Sequence, residues 1–139
     1  MTFRTLVAIV MASAAVVVAE EQTAPTSVFT EQQAETGKAA YTKNCASCHQ
    51  PDLSGSNEIP QLAGESFMGT WGNKTTKDLR DYMSAAMPYG GPSLDPDTYT
   101  SITAFILSSN GAVAGTEKLS ALTAVPIGTV TAKRPVAKR

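Results

Sequence analysis

Apolar and small side chains recur at helical spacing in three stretches of the chain, each following a residue that can cap a helix. The first stretch starts at Thr30, where a hydroxyl followed three positions later by Gln33 predicts a capping box. A glycine inside a helix costs about 1 kcal/mol relative to alanine, so Gly37 predicts that another element approaches the backbone closely there. The positions predicted to share one face of this helix are Ala34, Gly37, Tyr41, Cys45 and Cys48.

The second stretch has its own start and stop signals. Thr75 with Asp78 predicts a second capping box. Pro88 is expected to end the helix, because the residue before a proline is pushed out of the α region. The apolar stripe of this helix consists of Leu79, Tyr82, Met83 and Ala86.

The third stretch begins at Asp95, a good N-cap, with Pro96 in the favoured first helical position. Asn110-Gly111 is expected to close it. Because no charged residue lies between Thr98 and Asn110, we expect this helix to be the most buried of the three. Its apolar stripe consists of Tyr99, Ile102, Phe105 and Ile106.

Residues 50–74 are rich in proline and glycine and show no sustained period, which predicts a long loop. A loop of this length is unusual in a compact domain unless it surrounds a functional object. The pattern as a whole predicts a small all-α fold, with three main helices and loops wrapped around a central group.

The pentapeptide Cys45-Ala46-Ser47-Cys48-His49 is the strongest chemical signal, because C-x-x-C-H is the attachment motif of a c-type haem. On a helix the two cysteines stand three residues apart on one side. Cys45 and Cys48 are therefore predicted to form thioethers to one haem c, and His49 to bind its iron. The low content of aliphatic and phenylalanine side chains agrees with a cofactor that fills the centre.

A C-x-x-C pair also occurs in zinc sites, in thioredoxin-like redox pairs and in disulfides. Zinc is disfavoured because the chain has two cysteines and one histidine, too few for a four-ligand site of the usual donors. The flanks also lack the βαβ pattern in which a redox dithiol normally lies.

The ligand on the other face of the iron decides the function, since an open face binds small ligands and a closed one passes electrons. With no second histidine, a methionine is the expected donor, and Met68, Met83 and Met87 are the candidates. Met87 is favoured because Pro88 forces it off the helix end. Met83 is expected to pack in the core, and Met68 lies in the glycine-rich loop.

The ends of the chain differ in character from its centre. Residues 1–19 are predicted to be a secretory signal cleaved near Ala19, with an apolar run too short to span a bilayer. Residues 20–29 are predicted to be a flexible leader. Residues 112–139 are predicted to be a partly disordered extension, for which a solvated tail is slightly favoured over an arm that holds a partner. The net charge is −1, and basic residues are too few to indicate nucleic-acid binding. No segment is expected to span a membrane.

Over residues 30–111 the chain resembles the class I cytochromes c, and more closely the small haem domains associated with periplasmic quinoprotein alcohol dehydrogenases. The markers of this resemblance are the Cys45 to His49 motif, Ile59-Pro60-Gln61-Leu62-Ala63-Gly64, the Phe67 and Trp71 pair, Met87-Pro88, and the helix from Tyr99 to Gly111. The resemblance implies that the Pro60 carbonyl accepts a hydrogen bond from His49. It also implies a haem pocket lined by Leu62, Phe67, Trp71, Leu79, Tyr82 and Phe105, although ordinary core packing is an equal alternative for each aromatic.

The expected function is electron transfer by a periplasmic mono-haem cytochrome that has no enzymatic turnover of its own. Its expected donor is a redox protein such as a quinoprotein or another periplasmic dehydrogenase, and its acceptor a protein such as a terminal oxidase. One alternative is a dedicated electron-accepting subunit of a periplasmic dehydrogenase. A less favoured one is a haem enzyme or gas sensor with an open sixth site.

Overall fold

The structure is a computed structural model and describes residues 26–131. The predicted signal, most of the predicted leader and the last eight residues lie outside this range. The helices are α1 (Glu31–Asn44), α2 (Ala46–His49), α3 (Glu65–Trp71), α4 (Thr76–Ala86), α5 (Pro96–Ser109) and α6 (Ile127–Val130). Within residues 26–131 β-structure is limited to one isolated bridge, which confirms the all-α prediction. No helix of this range is long and apolar enough to cross a bilayer.

The three predicted helices are α1, α4 and α5. The Thr75 hydroxyl accepts from the Asp78 amide and the Asp78 carboxylate accepts from the Thr75 amide, so α4 has the predicted capping box. Asp95 caps α5 by accepting from the Thr98 amide. Helix α4 ends where Pro88 predicts, since Met87 has φ −128° and ψ 149°.

Helices α1 and α5 cross in direct backbone contact. A Cβ atom placed on Gly37 would lie 1.8 Å from the carbonyl oxygen of Ser101, so only glycine allows the two helices to approach this closely. One turn further on, the rings of Tyr41 and Phe105 pack with centroids 5.2 Å apart. The predicted close approach at Gly37 is confirmed.

Helix α3 lies inside the stretch that was predicted to be a loop, and that prediction is wrong for residues 65–71. The helix is short, and Gly69 in its middle interrupts the sequence pattern. Its stability comes from tertiary contact: Phe67 is 1% exposed. A helix of this length is marginal by itself in water, which explains why local sequence signals did not reveal it.

Residues 112–131, called here the C-terminal strap, pack back onto the helices. Leu119, Ile127 and Val130 are buried in the same core as α5, so Gly111 does not mark the end of the packed core. This part of the predicted extension is not a solvated tail. At the other end, Val28 and Phe29 are also buried, which corrects the predicted flexible leader at those positions.

Gln33 connects α1 to the strap and does not complete the predicted capping box. Its side-chain amide donates to the Leu119 carbonyl (2.8 Å) and accepts from the Leu119 amide (2.9 Å). Thr30 still accepts from the Gln33 backbone amide. The Gln33 side chain, which the local pattern assigns to the helix start, therefore bonds to the distant backbone of Leu119 instead.

The rest of the strap binds the start of α4 and the end of α3. The Thr76 hydroxyl donates to the Thr123 carbonyl (2.6 Å), and the Ile127 amide donates to the Lys74 carbonyl (2.9 Å). Gly128 follows with a bond from its amide to the Gly72 carbonyl (2.9 Å). The strap is thus bonded to α1, to the start of α4 and to the turn that follows α3.

Candidate functional site

The two cysteines and the histidine lie on a single short turn that continues α1. Cys45 is the C-cap of α1, and its amide donates to the Tyr41 carbonyl (2.8 Å). The His49 amide then donates to the Cys45 carbonyl (2.9 Å). The two cysteines are not joined in a disulfide; Cys45 is half-buried and Cys48 is exposed. Burial, and next the nearby Cys48 thiol, raise the pKa of Cys45 above its ordinary value.

The His49 side chain is 9% exposed, and its Nδ1 atom lies 3.0 Å from the carbonyl oxygen of Pro60. A carbonyl oxygen can only accept, so Nδ1 must carry the proton. The lone pair of the imidazole is then on Nε2, which leaves that atom free to bind a metal. The structure therefore contains the contact between His49 and Pro60 that the resemblance implied.

Tyr41 holds the backbone immediately after His49. Its hydroxyl donates to the Gln50 carbonyl at 2.7 Å. Burial, followed by the nearby Cys45 and Asp52, raises the pKa of Tyr41 to about 12. The phenol therefore remains protonated and keeps donating across the neutral range.

The segment that carries Pro60 returns to the motif through backbone bonds. The Gly55 amide donates to the His49 carbonyl (3.0 Å), and the Leu62 amide donates to the Leu53 carbonyl (2.9 Å). At its far end the segment meets Asn110 at the end of α5. The Asn110 side chain donates to the Leu62 carbonyl (3.0 Å) and accepts from the Gly64 amide (3.0 Å).

Asn110 was not among the predicted site residues. An asparagine before a glycine at a helix end is typical of a helix stop, and the sequence predicts only that role for Asn110. No local pattern indicates that its side chain reaches a segment 46 to 48 positions away. Only the tertiary structure brings the two together.

The three candidate methionines have different surroundings. Met83 is 8% exposed on the core face of α4. The Met68 sulfur lies 3.6 Å from the Thr131 hydroxyl, whose single proton is donated to the Ile127 carbonyl (2.8 Å). Met87 is half-buried beyond the end of α4, and its carbonyl accepts from the Tyr99 hydroxyl (2.5 Å). The backbone at Met87 is thus anchored to α5 outside any helix.

The predicted pocket residues divide into two groups by burial. Phe67 and Leu79 are each 1% exposed, so in this structure their surfaces are enclosed by protein. Leu62, Trp71 and Phe105 are only partly buried, and Tyr82 is 51% exposed. The rings of Trp71 and Tyr82 meet edge to face at 5.4 Å. The second group therefore has free apolar surface, and the pocket role of all six stays a prediction.

The donor set fits a c-type haem. Two cysteines that are not joined in a disulfide lie at the required spacing, and the adjacent imidazole turns its Nδ1 atom to Pro60, which leaves Nε2 as the atom that can bind iron. Partly exposed apolar and aromatic side chains are available for the faces of a large apolar ring. Across residues 26–131, no group of three or more His, Cys, Asp or Glu side chains is assembled to hold a metal ion.

Comparison with known proteins agrees with this chemistry. Residues 32–106 match the family model described as "Cytochrome C oxidase, cbb3-type, subunit III". A search of curated proteins finds no match. Among solved structures, the chain is similar to the sulfane dehydrogenase SoxCD from Paracoccus pantotrophus, with 27% sequence identity and a TM-score of 0.51.

The alignment with SoxCD covers 76% of this chain and 58% of that chain. The chain thus spans little more than half the length of its structural relative. The family match covers more than half of the chain and runs from α1 into α5, with Cys45, Cys48, His49 and Met87 inside it. The chain belongs to the family described as cytochrome c oxidase, cbb3-type, subunit III, and is a class I cytochrome c, a haem protein of electron transfer.

Proposed function

We propose that this cytochrome is a mono-haem, one-electron carrier of the periplasm. It accepts an electron from a dehydrogenase, such as a quinoprotein, and passes it to a downstream acceptor such as a terminal oxidase. The observation that carries the proposal is the His49 ring, whose Nδ1 proton is held by the Pro60 carbonyl at 3.0 Å beside the two cysteines of the C-x-x-C-H motif. The bound haem supplies a reversible couple between ferric and ferrous iron.

The protein's own residues attach and orient that group. Cys45 and Cys48 would hold it through two thioethers, and His49 would bind the iron through Nε2. The hydrogen bond to Pro60 fixes the plane of the imidazole and raises its basicity. Tyr41 keeps the backbone after His49 in place through its bond to Gln50.

Met87 is the proposed sixth ligand. It lies beyond the end of α4 in extended backbone, where its thioether is not committed to a helical face. Met83 is packed in the core, and the partly buried Met68 sulfur lies 3.6 Å from the Thr131 hydroxyl. Thioether ligation favours ferrous iron and raises the reduction potential.

Spectroscopy of three single variants tests the ligand assignment. A methionine bound to ferric haem gives a near-infrared charge-transfer band, and we expect Met87→Ala to lose it. Met83→Ala and Met68→Ala serve as matched controls and should keep it. Loss of the band in Met83→Ala or Met68→Ala alone would assign the iron to that sulfur instead.

Binding of carbon monoxide distinguishes a carrier from a haem enzyme or gas sensor. A six-coordinate ferrous iron has no open position, so the wild-type protein should bind carbon monoxide slowly at neutral pH. Met87→Ala should bind it rapidly, because its sixth position is free. Rapid binding by the wild-type protein would contradict the carrier function.

A dedicated subunit of a dehydrogenase is the second candidate. The similarity to a chain of the sulfane dehydrogenase SoxCD supports it, and the C-terminal strap offers a partner an ordered surface. Purification without tags at physiological salt should recover a dehydrogenase in fixed ratio with the cytochrome if this candidate is correct. Elution as a free monomer would favour the shuttle.

The periplasmic location rests on residues 1–19 as a cleaved signal. Expression in a host that attaches haem in its periplasm should give a mature chain that begins at Glu20 and carries the mass of one haem. Two free thiols with no added mass would contradict the whole proposal.

A further inference from the structure

We infer that Asn110 is a positioning residue for the iron ligand His49, acting through the segment that carries Pro60. This inference rests on the proposed function, since it concerns the orientation of a haem ligand. The side chain of Asn110 forms three hydrogen bonds: with the carbonyls of Leu62 and Ile106 and with the amide of Gly64. Two of the three leave the helix and bind the segment just beyond Pro60.

The need for an external anchor follows from the sequence of that segment. Pro60 has no amide hydrogen and cannot donate to a neighbour, and both Pro60 and Gln61 are exposed. Gly64 has φ 81°, and a Cβ placed there would meet nothing within 4 Å, so the packing of this end is limited to the partly buried Leu62 and Ala63. The bond from the Leu62 amide to the Leu53 carbonyl supports one side, and Asn110 supports the other.

A simple helix cap does not explain the side chain of Asn110. The backbone amides of residues 110–112 already bond to the carbonyls of Ile106, Leu107 and Ser108 at the helix end. A cap needs no contact with residues 62 and 64. The side chain therefore connects the end of α5 to the acceptor that holds the Nδ1 proton of His49.

Hydrogen exchange in the ferrous holoprotein tests this connection. The Nδ1 proton of His49 exchanges when the Pro60 segment opens, so Asn110→Leu should speed its exchange by about tenfold. The amide of Ile102, in the middle of α5, serves as an internal reference and should change by less than about twofold. An equal increase at both positions would overturn the inference, because it would show only a loss of global stability.

Two further variants separate the contacts. Asn110→Asp keeps the acceptor for the Gly64 amide but turns a carboxylate oxygen towards the Leu62 and Ile106 carbonyls, so we expect an increase at least as large as for Asn110→Leu. Ser109→Ala removes a neighbouring bond inside α5, from the Ser109 hydroxyl to the Phe105 carbonyl, and should leave the His49 proton unchanged. An effect of Ser109→Ala equal to that of Asn110→Leu would contradict a specific role for Asn110.

A measurement on the wild-type protein covers the case in which the variants fail to fold. The amide of Gly64 and the Nδ1 proton of His49 should show the same dependence on denaturant, because they open as one unit. Different dependences would overturn the inference. Failure of the proposed function would be recognised separately, because the wild-type protein would then lack covalent haem or a histidine bound to iron.

Discussion

The crossing of α1 with α5 and the C-terminal strap belong to one core and are held by different means. At the crossing, two long helices touch at Gly37 and Ser101, and Tyr41 packs on Phe105. The strap has only one short helix, and much of its attachment consists of hydrogen bonds from Gln33, Thr76 and Gly128. Backbone approach thus holds the first region, and polar ties with a few buried apolar anchors hold the second.

The difference shows how much each region depends on local sequence. Residues at the crossing repeat with the period of a helix, so their faces are determined before the chain folds. The buried apolar residues of the strap, Leu119, Ile127 and Val130, are spaced irregularly. Their burial cannot be predicted without the parts of the fold that they contact. Substitutions in the two regions should therefore differ in size and in kind.

The largest effect is expected at the crossing. Gly37→Val should destabilise the protein by about 3 kcal/mol or more, since overpacking against backbone cannot be relieved by a side-chain rotation. Gly69→Ala is the matched control, because a Cβ there meets nothing within 4 Å and alanine favours a helix. Chemical denaturation of both variants measures the difference, and equal stabilities would contradict direct contact between α1 and α5.

In the strap, the largest effect is expected at Ile127, which is 0% exposed. Ile127→Ala should cost about 2 to 4 kcal/mol, through lost burial and the cavity that remains. Leu122→Ala serves as its control within the same segment, because Leu122 is 82% exposed. Thermal unfolding that shows no loss in Ile127→Ala would mean that the strap is detached in solution.

The polar tie between the regions should contribute less. Gln33→Leu removes both bonds to Leu119 and leaves a buried amide and carbonyl without partners, which should cost about 1 to 3 kcal/mol. Gln32→Leu changes the adjacent exposed position and should have little effect. Exchange of the Leu119 amide should also become faster in Gln33→Leu, and protection equal to wild type would show that the tie does not form.

Acid should weaken the start of α5 by a smaller amount. Bonds from the Thr98 side chain and backbone lower the pKa of Asp95 below its ordinary value of 3.8. Its contribution to stability is therefore complete above that value and is lost as the pH falls through the lower folded pKa. Asp95→Asn keeps a capping oxygen but does not titrate.

Urea unfolding between pH 5 and pH 2 should accordingly show a weaker loss of stability in Asp95→Asn than in the wild-type protein. Asp97→Asn, in the first turn of the same helix, is the control for removal of a charge alone. An identical pH profile for Asp95→Asn and the wild-type protein would exclude this carboxylate as a source of the acid sensitivity.

The helix starts and the long-range contacts of this protein show why sequence reasoning succeeds in one place and fails in another. Capping at Thr75 and Asp95 depends on residues three positions apart, so both helix starts could be predicted. Helix α3 and the side-chain bonds of Gln33 depend on partners far along the chain, and local patterns indicated the wrong structure for both. The predicted leader and tail fail for the same reason at Phe29 and Ile127.

The sequence by itself predicted the attachment chemistry and determined the main helices, because C-x-x-C-H spacing, caps and helical periods are properties of neighbouring residues. It also placed Met87 off the end of α4 through Pro88. Only the tertiary structure decided that residues 112–131 close the core and that Asn110 supports the segment facing His49. Those contacts join positions dozens of residues apart, and their free energy exists only once the chain has brought both partners out of water together.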